Sequence, residues 1–142
     1  MAVHIVDTSD PRETESVGAE LAGGLRAGDV VLVRGELGAG KTTLVRGAAR
    51  ALGVTDPVTS PSFSIGHRYL ARNELTVSHI DLYRLAGLDE EDPELLADYL
   101  GDGRIAFIEW PPDSERELAQ ARVEVSLAHA GKNRRRIEVR RR

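Results

Sequence analysis

Eight consecutive residues, Gly35-Glu36-Leu37-Gly38-Ala39-Gly40-Lys41-Thr42, are the part of this chain best suited to chemistry. They fit G-x-x-x-x-G-K-[ST], a loop that cradles a polyphosphate. Glycines let the backbone turn tightly, so that successive N–H groups point inward at an anion. Lys41 offers the β- and γ-phosphates a compact ammonium, where the broad fork of an arginine fits poorly. The Thr42 hydroxyl suits Mg²⁺, which takes oxygen ligands and keeps several waters. A helix starting here adds the positive end of its dipole. Gly38, Ala39, Gly40, Lys41, Thr42 and Thr43 are therefore the expected nucleotide-binding residues. The chain writes arginine almost everywhere, with only Lys41 and Lys132 among 19 basic residues as lysines. One of those two stands where a point charge is wanted.

Such a loop needs a carboxylate to position the metal and its water. In open α/β sheets that group belongs at the carboxyl end of a strand. Asp81 and Glu109 both qualify. Glu109 closes the more continuous apolar run, so it is the expected metal-side acid with Thr42. Asp81 stands behind it or aligns the attacking water. Hydroxyls at Thr59, Ser60, Ser62 and Ser64 cluster one loop beyond, where segments that sense a γ-phosphate often lie, although a plain polar connection reads equally well. His79 could approach the site, with structural packing the simpler reading. Trp110 reads as core filler more readily than as a partner contact. No [NT]-K-x-D element for guanine is present, which favours ATP over GTP.

The elements around these residues alternate between strand and helix. A strand over Val3 to Val6 precedes a helix opened by Asp10-Pro11-Arg12-Glu13, a capping box with proline at the first helical position. Val17, Leu21 and Leu25 give that helix one apolar stripe, and it is predicted to end near Gly28. Asp29 to Arg34 is the strand before the loop, and the following helix stops at Gly53. Phe63 to Leu70 and Leu75 to Leu82 read as a hairpin. Alternation in its second strand suggests that only one face is buried. Asp92-Pro93-Glu94 opens a short helix through Leu100. Arg104 to Trp110 reads as a central parallel strand, covered on both faces. Arg122 to Ala130 and Arg134 to Arg140 form a closing hairpin around Gly131-Lys132-Asn133. The expectation is one domain over 1–142: a three-layer α/β nucleotide-binding fold with a mixed, mostly parallel sheet and a C-terminal β-hairpin.

Composition narrows the field. Without cysteine there are no disulfides, no thiol catalysis and no cysteine-built zinc site. Aromatic residues are only 4%, so aliphatic side chains must fill the core. The start lacks a basic stretch followed by an apolar one, and no run approaches a membrane span, so a cytosolic setting is expected. The four histidines show no metal-ligand spacing. Seven basic residues and one acid between Lys132 and Arg142 give that segment +6, which leaves −10 on the rest of a chain whose net charge is −4. Seven carboxylates and no base lie between Asp89 and Asp102. The basic edge could orient RNA or an acidic protein face, or could simply be solvated.

With these residues in place the chain resembles the TsaE family, small P-loop ATPases required for bacterial tRNA threonylcarbamoyladenosine (t6A) biosynthesis. Four blocks carry the resemblance in order: the loop through Thr43, then Ser60-Pro61-Ser62-Phe63-Ser64, His79-Ile80-Asp81-Leu82-Tyr83-Arg84-Leu85, and Ile108-Glu109-Trp110-Pro111. The family often has threonine where Ser62 and Ser64 stand, and the C-terminal hairpin matches poorly in detail. The resemblance implies ATP and Mg²⁺ as cofactors, held by Gly38 to Thr43 and by Thr42 with Glu109. It implies catalytic roles for Lys41, Asp81 and Glu109, with Asp81 the Walker-B-like acid. It also implies a protein partner, the two-subunit threonylcarbamoyl-transferase complex that acts on adenosine 37 of tRNAs reading ANN codons, with tRNA engaged only indirectly. From the residues alone, a small P-loop metabolite kinase is the alternative, and a non-catalytic module that uses ATP as a conformational ligand is a third reading.

Overall fold

The computed structural model describes residues 2–60, 66–81, 99–109 and 121–142. Its frame is a seven-stranded sheet in the order β1-β7-β6-β2-β5-β4-β3. The strands are β1 Ala2–Thr8, β2 Val30–Gly35, β3 Gly66–Leu70, β4 Thr76–Asp81, β5 Arg104–Glu109, β6 Val123–His129 and β7 Arg135–Arg141. The central four, β6, β2, β5 and β4, are mutually parallel. Antiparallel pairing appears only toward the edges, in β1 with β7, β7 with β6, and β3 with β4. Both predicted hairpins are present, and the sheet is parallel at its centre as expected. Parallel registers pair Val33 with Glu109 and Asp81 with Glu109. The carboxyl ends of β2, β5 and β4 therefore share one edge, and so do the groups that follow them.

Helix α1, Pro11–Ala22, begins as the sequence prescribes. Asp10 Oδ1 accepts from the Glu13 N–H at 2.9 Å, and Pro11 opens the first turn. It ends earlier than predicted. Gly23 N–H returns to Glu20 O, and the Gly23-Gly24 pair lets the chain leave the axis. Leu25 still packs on the core, from beyond the helix. Helix α2, Lys41–Ala51, follows the loop directly and lies with α1 on one face of the sheet. On that face Leu21, Leu44, Val45 and Ala48 pack with Val31, Val33, Val77 and Phe107. Val30, Leu32, Ile80, Ala106 and Ile108 form a second cluster on the other face, with Ala121, Tyr99 and Leu100 against it. Residues 92–98 of the predicted helix, most of the acidic run from Asp89, and the Pro111-Pro112 break lie outside the described residues.

One expectation about β4 is overturned. Val77, Ser78, His79 and Ile80 are all buried, so the strand has no solvent face. It is second from the sheet edge, flanked by β5 and β3, with apolar clusters on both sides. The polar members of its alternation are internal side chains.

Helices α1 and α2 meet through glycine. A Cβ at Gly47 would stand 2.0 Å from Glu15 O, and one at Gly18 would stand 2.1 Å from Leu44 O. Backbone packed on backbone cannot give way as a flexible side chain can. Gly47→Ala is expected to cost about 3 kcal/mol or more by urea denaturation. Gly23→Ala, at a helical φ of −61° with its nearest contact at 3.4 Å, should change stability by less than about 1 kcal/mol. Equal effects at the two positions would refute close helix contact as the cause.

Candidate functional site

The loop after β2 curls so that Ala39 N–H bonds Glu36 O, and Gly40 takes a left-handed φ of 101° at the start of α2. No side chain caps that helix, so its first-turn amides face the cleft ahead of them. This cleft, of about 310 Å³, is lined by Gly38, Gly40, Lys41, Thr42, Thr43, Ser60, Asp81 and Glu109, with Leu37 at its rim. The structure thus brings together both predicted acids and the predicted loop residues except Ala39, whose side chain is buried in the core and whose N–H is spent on Glu36 O.

Lys41 is only 5% exposed, and its Nζ donates to Gly35 O at 2.6 Å and Glu36 O at 3.0 Å. Burial lowers its pKa below the ordinary lysine value, while the charges of Glu109 and then Asp81 pull it back up. Thr42 Oγ1 donates to Glu109 Oε2 at 3.1 Å. Glu109 is itself buried, and His79 Nε2 contacts the same carboxylate oxygen. Two residues before Asp81 on one strand, the His79 ring lies on the same sheet face as both acids. It is fully buried, and among the described residues its Nδ1 has no hydrogen-bond partner. An N–H at Nε2 donates to the carboxylate. His79 is therefore both packed and in direct contact with the site. Asp81 Oδ2 accepts from Ser60 Oγ at 3.2 Å, which ties the following loop to the acid. Arg46 holds that loop by donating to Val58 O from Nε and Nη2. Ser62, Ser64, Trp110 and the Leu82 to Leu85 block lie outside the described residues.

A hydroxyl and a carboxylate 3.1 Å apart, beside a phosphate loop, are an oxygen donor set that fits Mg²⁺. Among the described residues no cluster of three or more His, Asp or Glu side chains could hold a metal. Such a pair takes its remaining ligands from water and substrate oxygens.

Arg135 escaped the sequence reading, where it disappeared into a run of arginines. Its Nε donates to Ala39 O at 3.1 Å and its Nη2 to Gly38 O at 3.2 Å, bracing the loop from the C-terminal hairpin. Nη1 donates to Lys132 O and Arg134 O. The available signal was period two: Arg135 shares a strand face with buried Ile137 and Val139. Lys132, the other lysine, lies in the exposed turn and contributes only its carbonyl to this brace. Several remaining arginines of the segment are paired within the fold, Arg136 with Asp7, Arg140 with Glu138 and Arg142 with Glu124.

Sheet order and loop together define an α/β domain of the P-loop nucleotide-binding class. The model of the family described as "Threonylcarbamoyl adenosine biosynthesis protein TsaE" matches residues 8–137, and the chain belongs to that family. A tRNA threonylcarbamoyladenosine biosynthesis protein TsaE from Bacillus subtilis strain 168 is 35% identical over 130 residues, covering 92% of this chain and 80% of the relative. One from Streptomyces coelicolor is 41% identical over 116 residues, covering 80% and 78%. The crystal structure of Bacillus subtilis YdiB superposes with a TM-score of 0.72 at 31% identity, covering 97% of this chain and 84% of that one.

The His79–Glu109 contact yields a stability test. His79→Ala removes a fully buried ring and leaves a buried carboxylate with one fewer donor, an expected loss of about 3 kcal/mol in chemical denaturation. His79→Gln keeps an amide donor and should lose clearly less. Equal losses would mean that the ring serves only to fill space.

Proposed function

We propose that this protein is a Mg²⁺-dependent ATPase that serves tRNA threonylcarbamoyladenosine biosynthesis. It turns over slowly alone and acts on the threonylcarbamoyl-transferase complex rather than on tRNA directly. The observation that carries the reading is the convergence of Lys41, Thr42, Asp81 and Glu109 on one cleft at the carboxyl ends of parallel strands. Family membership supports the pathway.

In this reading the amides of Gly38 and of Gly40 to Thr43 and the Lys41 ammonium hold the phosphates, and Thr42 with Glu109 would hold Mg²⁺. The ion supplies charge neutralisation at the phosphate oxygens. His79 fixes the Glu109 carboxylate from behind. Asp81, on the strand beside Glu109 and held by the Ser60 hydroxyl, can orient a water and accept its proton. Little covalent work falls to the protein, so positioning and fixed charge carry the catalysis.

Calorimetry tests the site. Lys41→Ala is expected to weaken Mg·ATP binding by about 100-fold, the loss of charge-assisted contacts to two phosphates. Thr42→Val should lose the gain in affinity that magnesium gives the wild type. Glu109→Gln should still bind nucleotide but turn over about 100-fold more slowly. Depletion of the protein should lower threonylcarbamoyladenosine in bulk tRNA, measured by nucleoside analysis. Unchanged levels would remove the pathway assignment, and absent ATP binding would remove the ATPase.

A further inference from the structure

Residues 55–60 lead away from α2 and bring Ser60 to Asp81. Among the described residues they make no backbone–backbone hydrogen bond of their own, the last before them being Val54 N–H to Ala49 O. Side chains fix them instead. Val58 is buried in the core, and its carbonyl accepts from Arg46 Nε at 3.2 Å and from Arg46 Nη2 at 3.0 Å. The third nitrogen of that guanidinium, Nη1, lies 3.7 Å from Glu15 Oε1 of α1. One arginine of α2 therefore joins α1 to the loop.

We infer that Arg46 is a positioning residue for turnover: by gripping Val58 it sets where Ser60 stands, and so how Asp81 is aimed. The inference rests on the ATPase reading above. Arg46 is not one of the described residues lining the nucleotide cleft, so its effect has to travel through the loop.

The path is short. Two residues span at most about 7 Å of chain, so a shift at Val58 is passed on to Ser60. Pro57, with its φ fixed by the ring, stiffens the approach to the gripped carbonyl. Thr59, between the two, is held by Tyr69 of β3. Burial raises the pKa of that phenol, and hydrogen bonding with the Thr59 backbone and hydroxyl draws it back down. Ser60 Oγ then donates to Asp81 Oδ2 at 3.2 Å. The residue type at position 46 matters as well. A planar fork sets two N–H groups on one carbonyl and a third nitrogen toward a carboxylate, whereas a lysine ammonium offers only a point charge.

Single-turnover hydrolysis of Mg·ATP by the full chain, read beside Mg·ATP affinity from calorimetry, tests this. Arg46→Ala should slow hydrolysis about tenfold or more while affinity stays within about twofold, because misplacing a reacting group by about 1 Å can cost up to 100-fold in rate. Arg46→Lys should recover part of the rate. Ser60→Ala should also slow hydrolysis. The double variant Arg46→Ala/Ser60→Ala should be no slower than the slower single one, since both act on Asp81 through the same contacts. Arg50→Ala removes the other arginine beside Glu15, one with no contact to Val58, and should keep the wild-type rate. Wild-type hydrolysis in Arg46→Ala, losses that multiply in the double variant, an affinity that falls in step with the rate, or an equal loss in Arg50→Ala would each overturn the positioning role. Where Arg46→Ala fails to fold, Arg46→Lys alone and combined with Ser60→Ala decides on the same criteria. A wild type that never hydrolyses ATP would overturn the ATPase reading and this inference together, which sets that failure apart from the others.

Discussion

A carboxylate in a place that water hardly reaches must be paired or protonated, and Glu109 is 3% exposed. The surrounding structure is arranged to pair it. Thr42 reaches it from the first turn of α2, and His79 reaches it from the neighbouring strand. Each contact requires a long-range relation to be right: α2 must sit over β2 and β5, and β4 must lie in parallel register beside β5. The same two requirements place Lys41 between the loop carbonyls and the acids. One buried acid therefore ties the Gly-rich loop, the Thr42 hydroxyl and the sheet register into a single unit.

The loop itself is held from two directions. Beneath it, α2 is locked against α1 by glycine contacts that leave no room for a methyl group at Gly18 or Gly47. Beside it, Arg135 crosses from the last hairpin to carbonyls of Gly38 and Ala39. Backbone that must aim its N–H groups at an anion has its carbonyls turned outward, and those carbonyls need donors. An arginine with several committed N–H groups meets that need. This gives part of the basic C-terminus a local purpose. Other arginines of the segment are paired with Asp7, Glu124 and Glu138, in exposed pairs that contribute little to stability.

A fold of this kind hosts many reactions, so the fold alone does not choose among them. The match along residues 8–137 places the chain in its family, and two acids face the loop. No helix among the described residues is long and apolar enough to cross a membrane.

By itself, the sequence determined whatever depends on a short span of chain. It encoded the Gly-rich turn before Lys41, the cap at Asp10, the strand whose end carries Glu109, and both hairpins. Hydrogen-bond geometry over a few residues is encoded in their types and spacing, and these elements were legible for that reason. Tertiary structure alone decided which strands are neighbours. That decision buried both faces of β4, turned His79 from a packing residue into a partner of Glu109, and set Arg135 against the loop. Spacing along the chain carries no record of strand order, and 96 residues separate Arg135 from Ala39. Their contact exists only because β6 joins β2 and carries the last hairpin back to the loop.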